Sequence, residues 1–183
     1  MNAIVIICAI IVVVGIAIIA WWISTSNNFH RKNIKINEAL SGIEVALTNR
    51  FDKLSKLFDV AKGFAKHEKE TFSQVIAMRK GMTCNELNQA NAQCDQLMAR
   101  INAVAEAYPE LRSAEMFAEL QKGTREAEAH LQAARRLYNS NVTLYNTAIV
   151  VFPSSIVANA KHLQKFDFFE AEEAKKQDVN LSF

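Results

Sequence analysis

The chain has 183 residues, a formal net charge of +2 and a mean hydropathy of +0.00. That length bounds it to one domain plus an anchor, and a small charge with acidic and basic residues interspersed excludes the clustered Lys and Arg that nucleic-acid binding requires. Cys84 and Cys94, ten residues apart on one expected helix, are separated by roughly 15 Å and cannot bridge, so they read as small apolar packing residues.

The first element runs from Ala3 to Ile23 without a charged residue and is dominated by Ile, Val and Ala. At helical rise it is roughly 31 Å long, matching a hydrocarbon core of about 30 Å. A cleaved signal peptide would need a basic leader and a small-x-small cleavage triplet, whereas only Met1 and Asn2 precede the run. A lipidated Cys8 would need a small residue before it, and Ile7 stands there. Residues 1–28 are therefore predicted to be a retained transmembrane anchor and its interface, carried by Ile4, Ile11, Gly15 and Ile18, with Trp21 and Trp22 at the headgroup level. His30, Arg31, Lys32 and Lys35 follow the run. By the positive-inside rule they place the N-terminus outside and the bulk, residues 29–183, in the cytoplasm.

Breaks are expected at Gly81 to Thr83, Tyr108-Pro109 and Phe152-Pro153, each Pro acting as a turn device with an aromatic plug. Between them the apolar period is helical and the domain is predicted all-α. Helix one, about Ile34 to Arg79, carries a stripe from Ile36 through Leu40, Ile43, Leu47, Phe51, Leu54 and Leu57 to Val75. Helix two, about Asn85 to Ala107, has a heptad seam of Leu87, Ala90, Cys94, Leu97, Ile101 and Val104. Helix three, about Ser113 to Val151, continues it with Phe117, Leu120, Thr124, Ala127, Leu131, Ala134, Tyr138 and Tyr145. A shorter helix bearing Ile156, Leu163, Phe166 and Phe169 is expected over 154–177. Together these predict an elongated antiparallel bundle with coiled-coil-like packing.

Helix two, about 35 Å long, retraces only half of a first helix of about 70 Å. The membrane-proximal stretch Leu40, Ile43, Leu47 and Phe51 is thereby expected to lack a partner within the chain. An exposed stripe of that length marks an interface, which predicts self-association near the membrane.

Other motifs carry little chemistry. His67-Glu68 would need a second His three residues after the Glu to bind zinc, and Thr71 occupies that place. His30, His130 and His162 are scattered, and the glycines form no phosphate loop. The Tyr-Asn pair repeats one heptad apart as Tyr138-Asn139 and Tyr145-Asn146. Buried tyrosines with bonded hydroxyls are one reading of it, and a polar docking strip for another protein is the other.

Gly63 to Glu68, Val75 to Arg79, Tyr108-Pro109-Glu110-Leu111, Phe117 to Gln121, Ala134-Arg135, the two Tyr-Asn pairs and Phe152-Pro153 stand in an order and spacing that resembles the LemA-like membrane proteins of bacteria. The chain departs from that pattern at Leu40, where the family often has Trp, and at Ser55-Lys56, where it often has Pro-Asn. The resemblance implies an N-terminal anchor, a small external N-terminus and a helical-bundle domain over 29–183, with envelope or membrane-associated roles and no reaction. The expectation is a non-enzymatic, homo-oligomeric scaffold of the bacterial plasma membrane. It needs no cofactor or metal, and its partners are the bilayer and other envelope proteins. The competing expectation is a regulatory or adaptor subunit bound one-to-one to a membrane enzyme or transporter.

Overall fold

The computed structural model of the chain describes residues 2–64 and 81–169. The expected second half of helix one, with His67-Glu68, Phe72 and Val75, and the tail 170–183 lie outside them. Five helices and no strand occur among the described residues: α1 (Asn2–Phe64), α2 (Cys84–Ala107), α3 (Pro109–Ser113), α4 (Glu115–Val150) and α5 (Ser154–Ala160).

Helix α1 passes through the apolar run and into the amphipathic stripe without interruption. No Pro occurs between Asn2 and Phe64, so no backbone donor is lost anywhere along it. Helix α2 begins where Gly81 takes a left-handed φ of 78° and Thr83 caps it. The Thr83 hydroxyl accepts from Glu86 N–H at 3.3 Å, and the Glu86 carboxylate accepts from Thr83 N–H at 2.8 Å. This is a reciprocal capping box. Pro109 opens α3 in its first turn, where its missing N–H costs nothing.

The chain divides into two compact units, residues 1–37 with 140–167 and residues 38–139 with 168–183. In the second, here called the bundle unit, Gly81 N–H donates to Glu44 at 3.2 Å and Asn91 meets Arg50, so α2 runs parallel to α1. The seam and short turns predict antiparallel neighbours, but a heptad seam fixes which face is buried and not the direction of the helix beside it. Helix α4 runs the other way, with Glu128 beside Arg50 and Gly123 against Lys53. The core between the three consists of Ile43, Leu47, Leu54, Leu57, Leu87, Cys94, Ile101, Phe117 and Leu131.

In the first, or anchor, unit α4 is again antiparallel to α1. Asn141 donates to the Lys35 carbonyl at 3.3 Å, and the Tyr145 and Phe29 rings meet edge to face at 5.8 Å. Two expectations fail here. The segment 154–177 is not one helix: α5 ends at Ala160 and residues 163–169 are not helical. His162 takes a φ of 51°, and the bonds Leu163 N–H to Ala158 C=O at 3.0 Å and His162 N–H to Asn159 C=O at 3.1 Å form a Schellman stop. Gly ordinarily signals that stop, and here His fills its place. Phe152 is also no plug, being 76% exposed at a corner where α5 turns 88° from α4.

Candidate functional site

Every predicted anchor side chain lies on α1, in the anchor unit. Ile4, Ile11 and Ile18 are exposed, and Gly15, Trp21 and Trp22 are half-buried. The most apolar 18-residue window of the helix has a mean hydropathy of 3.0 with none of it buried in the chain. A core helix of that composition would be covered, so this one is long and apolar enough to cross a membrane and has no protein around it in the described chain.

The predicted self-association stripe is corrected. Ile43 and Leu47 are fully buried within the chain, and Leu40 and Phe51 are half-buried. Helices α2 and α4 flank this part of α1 at Glu44 and Arg50, because α2 runs alongside α1 in the same direction and α4 passes it in the other. An unpartnered apolar stripe therefore does not exist at these positions.

The Tyr-Asn repeat is also occupied from within. Tyr138 and Tyr145 are buried. In the bundle unit the Asn139 amide accepts from Phe169 N–H at 2.8 Å and donates to the Phe169 carbonyl at 2.9 Å. In the anchor unit Asn146 makes the same pair of bonds to Phe166, at 3.0 and 2.9 Å. Each amide satisfies both backbone polar groups of a residue that lies outside any helix. Both asparagines of the expected docking strip are thus engaged by the chain's own Phe166 and Phe169, each within its unit. Arg135 stacks over Phe169 at 4.7 Å, and Phe166 meets Tyr145 at 5.0 Å. Burial raises the Tyr145 pKa above the ordinary phenol value.

One polar cluster escaped the sequence reading. Arg50, only 4% exposed, donates through Nη1 to Asn91 Oδ1 at 2.6 Å and pairs with Asp95 through Nη2. Its Nε lies 2.9 Å from Glu128 Oε2, an ionic contact without hydrogen-bond alignment. Cys94 lies beside them; burial pushes its thiol up from 9.0 to about 11, against the opposing pull of Arg50. A signal was available, since Arg50 falls three residues after Leu47 and four before Leu54, inside the apolar stripe. Among the described residues no group of three or more His, Cys, Asp or Glu side chains could hold a metal ion. Through its contacts with Asn91, Asp95 and Glu128, Arg50 forms a polar clasp joining α1, α2 and α4.

A model of the LemA family matches residues 39–183. The chain belongs to the LemA family. It is similar to Protein LemA of Metamycoplasma hominis, with 25% identity over 166 residues that cover 88% of this chain and 76% of that protein. The family match contains both Tyr-Asn pairs, the Arg50 clasp and the Phe152-Pro153 corner. It begins after the apolar run, so the reading of residues 1–28 rests on their own composition and exposure.

Proposed function

We propose that this LemA-family protein is a membrane-anchored scaffold of the bacterial cell envelope, non-enzymatic, whose helical domain acts by contact with other membrane components. The observation that carries this reading is the uncovered apolar length of α1 from Ile4 to Ile23, continuous with a folded helical domain. The three Lys/Arg residues of 31–35 favour the cytoplasmic face of the plasma membrane, with the N-terminus outside.

Any self-assembly must use surfaces other than Ile43 and Leu47, and the exposed anchor stretch, with Gly15 between Val14 and Ile16, is a candidate. The test is the mass of the full-length protein in mild detergent beside a variant whose Ala3–Ile23 is replaced by poly-leucine. A discrete complex that the replacement dissolves supports an assembling scaffold. A monomer in both forms turns the reading to an adaptor that works one-to-one with a membrane enzyme or transporter.

A further inference from the structure

The corner between α4 and α5 leaves Val150, Val151, Phe152 and Ile156 exposed together, while Val157 and Ala158 on the same short helix are buried. Single exposed apolar residues are ordinary, but a contiguous group at a turn is not. Its height relative to the anchor follows from contacts inside the anchor unit. Tyr145 packs on Phe29, and α4 runs antiparallel to α1. Phe152 lies seven residues beyond Tyr145, a rise of about 10.5 Å, and the same rise back along α1 from Phe29 leads to Trp22. The corner is therefore level with the end of the apolar run. Helix α5 turns 88° from α4, so it lies across the anchor's axis, in the plane a bilayer surface would occupy.

Charge agrees with that placement. The anchor unit holds five Lys/Arg, namely Arg31, Lys32, Lys35, Lys161 and Lys165, against Asp167 as its one acidic residue, a net +4 within a chain of +2. Lys161, just past α5, hydrogen-bonds Ser26, three residues above Ile23 and about 4.5 Å from it along the helix. Basic side chains at that height face the phosphates of anionic headgroups. An apolar corner below them fits the acyl boundary, as interfacial helices do.

We infer that Val150, Val151, Phe152 and Ile156 form a second membrane contact, seated in the headgroup-acyl boundary of the leaflet the anchor enters. It rests on the membrane reading of α1 and adds a second point of attachment within the anchor unit.

The test places one nitroxide label at a time on full-length protein in vesicles of phosphatidylethanolamine and phosphatidylglycerol. Cys8 and Cys84 are replaced by Ser, and the buried Cys94 is kept. Labels go on Phe152→Cys, on Ile11→Cys for the anchor, and on Leu144→Cys, an equally apolar exposed site higher on α4. Collision with oxygen relative to a water-soluble nickel chelate should be several-fold higher at 152 than at 144, and highest at 11. Should Phe152→Cys melt early by circular dichroism, Val151→Cys gives the same reading. A shielded residue 11 with residue 152 as open to nickel as 144 overturns the corner contact and leaves the anchor standing. Low collision with both reagents at 152 means protein covers it, which also overturns the inference. Nickel access at residue 11 removes the membrane reading and the corner with it.

Discussion

Between Ile4 and Ile23 helix α1 turns every described large aliphatic side chain outward, at 51–69% exposure, while between Ile36 and Leu57 the same helix holds Ile36, Ile43, Leu47, Leu54 and Leu57 at 0–1%. The two stretches differ less in hydrophobic residue type than in arrangement. The first is apolar all round, so no single protein face can cover it; the second is apolar on one stripe, which neighbouring helices can close over. The change falls just beyond the tryptophans.

The contrast is tested most severely inside the bundle stretch, where Arg50→Met leaves Asp95 and Glu128 facing each other without their cation. Loss of one partner from such a buried set costs about 3–5 kcal/mol, read as a drop in the chemical-denaturation midpoint. Replacing Asp95 and Glu128 by Leu in the same chain should restore much of it. Next comes Leu47→Ala, expected to cost about 2–5 kcal/mol through the cavity it opens. Val45→Ala on the exposed side of the same turn should stay within about 0.5 kcal/mol. Equal effects at the two sites would mean that the stripe is not closed.

In the anchor stretch the measured quantity changes. Ile11→Arg should leave the bundle's melting curve in place and shift protein out of the membrane fraction, since a mid-span Arg disfavours insertion by about 3 kcal/mol. Asn146→Ala, which strips Phe166 of both backbone partners, should cost about 1–3 kcal/mol. Its sharper readout is faster hydrogen exchange at Phe166, with Phe169 unchanged. The smallest effect is alkaline. Because Cys94 ionises at about 11 in the fold against 9.0 when exposed, the folded chain holds the thiol proton longer, and that contribution to stability is intact below pH 9 and lost as pH rises toward 11. Cys94→Ala should flatten that part of the pH profile relative to the parent.

The sequence by itself determined the helical class, a first stretch long and apolar enough to cross a membrane, the bounds of α2 to within a residue and the three breaks. Each follows from local chemistry: an uncharged run of bilayer length, a heptad period, a Gly or Pro at each turn. It left open what the Tyr-Asn repeat faces, and it misjudged the partner of Ile43 and Leu47 and the course of residues 161–169. Those depended on which way α2 runs and on a Schellman stop built on His162, a residue with no strong local preference for it. Arg50, Asn91, Asp95 and Glu128 come from three helices, and only packing brings their charges together. Periodicity reports which face of a helix is buried; the identity and direction of what buries it are set by long-range contacts, and these the tertiary structure alone decided.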